Sequence, residues 1–262
     1  MTIALASGNR DLEKPHLLIT NLFETGAVTA TPTIADGAFG NCVTDGTFDF
    51  WTPSETTASA TVDMGTATRA DMIGIAAHNL ATSTAIVNVQ SSDNNSTWVT
   101  RLSITPTNDS TIIGLFPSVS ARYWRVQITS GPASIGVMKL GRRIVVPSGL
   151  SIGYVSANHA NVVELLSNDS VDGQFLNTRV IRRSGQTTLD FGMVDQEFID
   201  GGFAEFERKY NDGRAFFYAG SPLTLPLDAA YCKRPVGSGE IRPTYDGGEL
   251  MALSFEAQIY AG

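Results

Sequence analysis

The stretch Asp45-Gly-Thr-Phe-Asp-Phe-Trp51, followed after a polar spacer by Ala58-Ser-Ala-Thr-Val-Asp-Met-Gly65, decides the reading of the chain. Asp-Gly marks a turn and leads into an aromatic cluster. The second part alternates strictly, with Ala58, Ala60, Val62 and Met64 set against Ser59, Thr61 and Asp63. Period-two alternation is the mark of a half-buried strand, because successive side chains point to opposite faces. Asp63-Met64-Gly65 reads as the turn that ends it.

Working downstream, Asp71–Ala77 (DMIGIAA) is a nearly continuous apolar run and fits a strand buried on both faces. Ala85–Ser91 alternates, and Ser92-Asp-Asn-Asn-Ser is a turn, since Asn and Asp tolerate left-handed backbone. Trp98, Val99 and Leu102 restart the sheet. Tyr123–Thr129 (YWRVQIT) is the clearest strand: Trp124, Val126 and Ile128 face a core, with Tyr123, Arg125 and Gln127 outward. Val137–Ile144 closes the unit. Upstream, His16–Phe23 reads as a first strand, and Thr25–Asn41 as a long loop or short edge strands. Phe39, at the tip of that loop, is either a ligand contact or packed back on the body.

Composition narrows the function classes. Acidic residues number 26 against 18 basic ones, a net charge of −8, so nucleic acid is not the expected partner. No run of about 18 apolar residues occurs, so no membrane insertion is expected. Cys42 and Cys232 stand alone and read as free, buried thiols.

The ordered series Asp45-Gly, Trp51, Val62-Asp-Met-Gly, Ile73–Ala77, Val89-Gln-Ser-Ser-Asp then Trp98, Ala121-Arg-Tyr-Trp-Arg-Val and Gly136–Gly141 resembles the discoidin, or coagulation factor 5/8 type C, family. The resemblance covers residues 16–146 and implies a galactose-binding-like β-sandwich of jelly-roll type. It also implies a binding module that uses loops at one end, here Ala35–Asn41 and His78–Thr84. On that implication Phe39, His78, Asn79 and Leu80 are the candidate ligand-binding residues, His78 and Asn79 for sugar hydroxyls and Phe39 or Leu80 as a wedge. A capping or solvated role for His78 stands beside this. Asp36 and Asp45 are either turn residues or contributors to a calcium site of the kind some members carry; no other cofactor is expected. Two carboxylates fall short of the six to eight oxygens calcium takes.

Beyond Leu150 the texture changes. Val162–Leu166 and Gln174–Arg182 read as strands joined by Asn168-Asp-Ser-Val-Asp-Gly, and Thr187–Gly192 alternates again. Asp195–Tyr210 is the one good helix candidate, with Phe198, Ile199, Phe203, Phe206 and Tyr210 at helical spacing. Gly201-Gly202 weakens it by about 1 kcal/mol per glycine. Arg214–Ala219, Ala229–Lys233, Glu240–Thr244 and Glu249–Tyr260 read as strands. The expected organisation is an arm over 1–15, a sandwich over 16–146, a linker over 147–153 and a β-sandwich or tube-like domain with one helix over 154–262.

The second half resembles, in architecture alone, the tube-like β-domain of tailed-phage tail-tip and baseplate proteins. That resemblance implies a structural virion protein, made in the host cytoplasm, whose second domain forms a homo-oligomeric ring. Its partners would be other tail proteins and host surface glycan. The alternative is a soluble glycan-binding, lectin-like protein or an ancillary module of a carbohydrate-active system. No H-E-x-x-H, nucleophile elbow or phosphate loop occurs, so no catalysis is expected.

Overall fold

The computed structural model describes residues 2–261. The first half contributes β1 (Thr2–Leu5), β2 (His16–Leu18), a single helical turn α1 (Leu22–Thr25), β3 (Ala27–Ala30), β4 (Ala58–His78), β5 (Ile86–Ser92), β6 (Val99–Ile104), β7 (Ile112–Thr129), β8 (Ile135–Gly141) and β9 (Ile144–Val145). The second contributes β10 (Asn161–Asp169), β11 (Phe175–Asp195), a helical segment α2 over 196–211, β12 (Phe216–Ala219), β13 (Ala229–Lys233), β14 (Thr244–Gly247) and β15 (Leu250–Ile259). Among the described residues the protein is mainly β, built as two sheets, with α2 its longest helical segment and a short 3-10 helix at Phe39–Val43.

The alternating stretch that opens β4 does not end at Gly65. Its register with β7 breaks between Asp63 and Thr68 and then resumes. Gly65 takes the left-handed conformation (φ 71°) and its N–H donates to Asp63 Oδ1 at 2.7 Å, a local turn inside the strand. Trp124 Nε1–H tethers the bend by donating to the Thr68 carbonyl at 3.1 Å. Before the bend β4 pairs with β3 and the end of β7; after it, with β8 and the start of β7. The ladder therefore folds over on itself. Ala60, Val62, Val89 and Val126 meet Ile73, Ile75, Met138 and Leu140 in one core.

The second sheet runs β10-β11-β15-β13-β12-β2-β9, with β14 added on β15. His16–Leu18 thus joins the second sheet, and the expected strand over His16–Phe23 stops there because Asn21 caps the turn α1 through Phe23 N–H. Around β2, β12 and β13 this sheet is covered on both faces. Leu17, Phe216 and Tyr218 pack under α2 with Phe203, Phe206, Tyr210 and Phe255. Leu18, Phe217 and Ala219 pack against Met72, Ile113 and Val137 of the first half. The apolar run of β4 is therefore buried on both sides, as its composition predicts. Gly74 is required at that contact: a Cβ there would lie 2.2 Å from the Phe217 ring.

α2 begins as Gln196–Phe198, passes through a π turn at Ile199–Phe203 and continues as Ala204–Asn211. The turn holds Gly201-Gly202, so the weakness expected there takes the form of a local widening. Glu240–Thr244, expected as a strand, pairs only from Thr244 onward. No helix among the described residues is long and apolar enough to cross a membrane.

Candidate functional site

The loop residues singled out by resemblance are used within the fold. Leu80 has no exposed surface and belongs to the first core. Phe39 is packed back, making edge-to-face contacts with Phe23 and Trp51 at centroid distances of 5.2 Å each. His78 Nε2 donates to the Ser110 carbonyl at 2.9 Å and Nδ1 accepts from Leu80 N–H at 3.3 Å. This pattern needs the neutral ring, and burial, partly opposed by Ser110 and Asp109, lowers its pKa. Asn79 Oδ1 accepts from Ser134 N–H at 2.7 Å, tying two loops together. These four residues brace the end of the sandwich.

Asp45 is a tie between the halves. Its Oδ1 lies 2.6 Å from Lys139 Nζ and its Oδ2 2.6 Å from Arg214 Nε. Ala215 N–H and Tyr231 O–H add hydrogen bonds to its carboxylate and carbonyl at 3.2 and 2.8 Å. Burial alone would raise this carboxyl, but Lys139 and Arg214 outweigh it and hold it below the usual range. Asp36 sits in an exposed turn with φ 63°. Asp36 is thus a turn residue and Asp45 a bridge residue; among the described residues no group of three or more His, Cys, Asp or Glu stands together.

The outer face of β3-β4-β7-β5-β6 offers a different kind of surface. Residues directly opposite across an antiparallel ladder share a face. Register places Thr29, Thr61, Arg125, Gln90 and Thr100 in one row across the five strands. The row is already hydrogen-bonded: Arg125 Nε donates to Gln90 Oε1 at 2.8 Å, and Gln90 Nε2 donates to Thr100 Oγ1 at 3.2 Å. Arg125 also lies over the half-exposed Trp98 ring, 4.0 Å from its centroid. Ser59, Gln127 and Asn88 form the next row. Asp63 is held by Arg122 through two 2.8 Å contacts, which keep its carboxyl well below the usual range, and Arg122 lies over the Tyr123 ring at 4.9 Å.

A groove of about 560 Å³ crosses the β3 side of this face, lined by Thr29, Thr31, Ser59, Thr61, Asp63 and Tyr123. The surface is rich in hydroxyl and amide groups, and its charges are paired or stacked internally. Alternation in Tyr123–Thr129 correctly turned Tyr123, Arg125 and Gln127 outward. Local pattern gives them no role, because the row exists only after the neighbouring strands are aligned.

No family model matches the chain, and no curated relative matches it. Several solved structures are similar. A GH29 fucosidase from Ruminococcus gnavus, solved with fucose, shares 17% identity at a TM-score of 0.41 over 48% of this chain and 27% of its own. The chain thus spans about a quarter of that enzyme's length. A chitosan-binding module from a Paenibacillus chitosanase/glucanase, solved with chitotriose, shares 19% at 0.39, covering 46% of this chain and 99% of the module. A CBM32 module from Clostridium perfringens, in complex with GalNAc-β-1,3-galactose, shares 14% at 0.40, covering 45% and 96%.

Proposed function

We propose that the first half is a glycan-binding module that takes a neutral oligosaccharide across the outer face of β3-β4-β7-β5-β6. The observation that carries this reading is the cross-strand row Thr29–Thr61–Arg125–Gln90–Thr100, flanked by half-exposed Trp98 and Tyr123. Hydroxyl and amide groups donate and accept, which suits polyol ligands, and aromatic rings supply apolar area with little entropy to lose. Asp63, the charged residue among the groove's lining, is paired with Arg122, so the groove favours an uncharged ligand over an acidic one. The resemblance of the first half to discoidin modules supports binding at this sandwich but implied its end loops; the face replaces them here. On this reading the chain is a lectin-like, glycan-binding protein or an ancillary module of a carbohydrate-active system. The tail-tip role gains no support from the solved structures named above.

The test is titration calorimetry against neutral oligosaccharides chosen from a glycan array. Trp98→Ala and Thr61→Val each weaken binding at least tenfold, while Asp36→Asn in the exposed Ala35–Asn41 loop leaves it unchanged. Binding that survives both face substitutions but fails with Asp36→Asn returns the site to the loops. Absence of binding to any arrayed neutral glycan removes the reading.

A further inference from the structure

A cleft of about 490 Å³ opens where the first half meets α2. Clefts that take small molecules span about 300–1,000 Å³ and lie preferentially between domains. One wall comes from the first half: Thr20, Arg69 and Asp71 of β4, and the Arg142-Arg143 pair that joins β8 to β9. The other is the side of α2 that carries Phe198, Gly201, Gly202 and Glu205. Glycine is the poorest helix former after proline, so two in succession inside α2 call for a reason. Backbone conformation does not supply one, since neither residue takes a positive φ. Packing does not either: a Cβ on Gly201 would meet nothing within 4 Å, and one on Gly202 would only touch the Phe198 ring at 3.7 Å. Both are exposed and both border the cleft. Bare backbone at such a place admits close approach of a ligand, and π turns inside helices fall often at functional sites. Half-buried Phe198 adds an apolar wall beside them.

The charges decide what enters. Asp11, Asp71 and Glu205 border the cleft together with Arg69, Arg142 and Arg143, but the two sets are not equally engaged. Every carboxylate has a cation of its own. Asp71 Oδ1 accepts from Arg143 N–H at 2.7 Å, and Oδ2 lies 3.9 Å from Arg143 Nε. Asp11 is paired with Lys14 at 3.2 Å and Glu205 with Lys209 at 3.0 Å. Arg69 and Arg142 are exposed, and among the described residues neither forms an ion pair; Arg69 Nε donates to the Ser118 hydroxyl at 3.3 Å. Two guanidiniums are therefore in excess on one wall of the cleft. The guanidinium fork matches the oxygens of a carboxylate, sulfate or phosphate group.

We propose that this cleft binds a small organic oxyanion, a carboxylate, sulfate or phosphate group carried on a ring. Arg69 and Arg142 grip the charged group, and the ring lies over the bare backbone of Gly201-Gly202 beside Phe198. The site is separate from the outer face of β3-β4-β7-β5-β6 and is independent of the glycan reading.

Titration calorimetry on the full chain with benzoate, phenyl sulfate and phenyl phosphate tests this, with phenol and inorganic phosphate as controls. At least one of the three ring anions binds, and the order among them names the charged group. Phenol and inorganic phosphate bind at least tenfold more weakly, and high salt weakens the binding. Arg69→Gln/Arg142→Gln weakens it at least tenfold with unchanged circular dichroism, whereas Arg179→Gln on β11 leaves it as in wild type. Gly201→Ala/Gly202→Ala also weakens it at least tenfold, yet raises the melting temperature, because alanine favours the helix and fills the cleft. Failure of all three ring anions to bind overturns the proposal, as does binding that survives the arginine substitutions. Inorganic phosphate bound as tightly as phenyl phosphate overturns the assignment of an organic ligand. A glycine variant that binds like wild type, or that melts lower, overturns the role given to the bare backbone.

Discussion

β8 and β10 carry the same number of large apolar residues, four each, and are opposites in every other respect. All seven residues of β8 are buried, including Lys139; all nine of β10 are exposed. Strand formation follows from the local pattern, but burial follows from what is stacked on the strand. β8 has the first core on one face through Met138 and Leu140, and on the other Val137 meets Leu18, Phe217 and Ala219. β10 has only β11 beside it. The region around β8 holds the two halves together, while the ribbon is held by nothing within the chain.

The comparison breaks most severely at Asp45. In Asp45→Ala, Lys139 keeps only Glu24, at 4.0 Å, Arg214 falls back on the same carboxylate, and Ala215 N–H loses its acceptor. Removing one partner of a buried pair costs about 3–5 kcal/mol. Chemical denaturation should show that loss, and a cost under about 1 kcal/mol, the range of surface pairs, would make the bridge peripheral.

Next is the contact between Gly74 and Phe217. Gly74→Ala puts a methyl within 2.2 Å of the ring, and overpacking of this kind costs about 1–3 kcal/mol. Phe217→Leu in the same chain relieves part of it if the two residues meet as described. A double variant no more stable than the additive sum would mean that the sheets separate rather than repack.

His16 sharpens the comparison through pH. It lies between β9 and β12, is 0% exposed, and neither ring nitrogen has a hydrogen-bond partner among the described residues. Burial, reinforced by Arg143 and opposed by Asp11, lowers its pKa from 6.5 to about 3. The folded state thus disfavours the charged ring. Its contribution is whole above pH 6.5 and is lost as pH falls from 6.5 toward 3, about 2 kcal/mol by pH 5. His16→Phe should flatten the fall in stability between pH 8 and 5, leaving a smaller slope from His78, whose pKa burial also lowers. Equal slopes in the two proteins would show that His16 charges without penalty.

How much of this was legible beforehand divides along the same line. Alternation gave the orientation of Trp124, Val126 and Ile128, and the unbroken Asp71–Ala77 run foretold double burial. The helix near 195–210 and Ala229–Lys233 were readable because their signals are local. The Asp45–Lys139–Arg214 bridge was not, since its members lie 94 and 169 positions from Asp45. The turn at Gly65 looked like a strand end because a bend inside a ladder and a terminus use the same residues. Phe39 and Leu80 were nominated from a resemblance, and packing turned both inward. The row through Arg125 needed four registers at once.

The smallest effect on stability belongs to the ribbon, and it tests the comparison most directly. Leu165→Ser leaves no cavity because the residue is exposed in the single chain, so it should change the unfolding free energy of the monomer by no more than about 0.5 kcal/mol. Hydrogen exchange supplies the contrast. In dilute solution the amides of Val162–Leu166 should exchange through local opening, while those of Val137–Leu140 approach the protection of global unfolding. Ribbon amides protected as strongly as those of β8 at every dilution would mean that the ribbon is stable on its own, and the difference between the two strands would then lie in exposure alone.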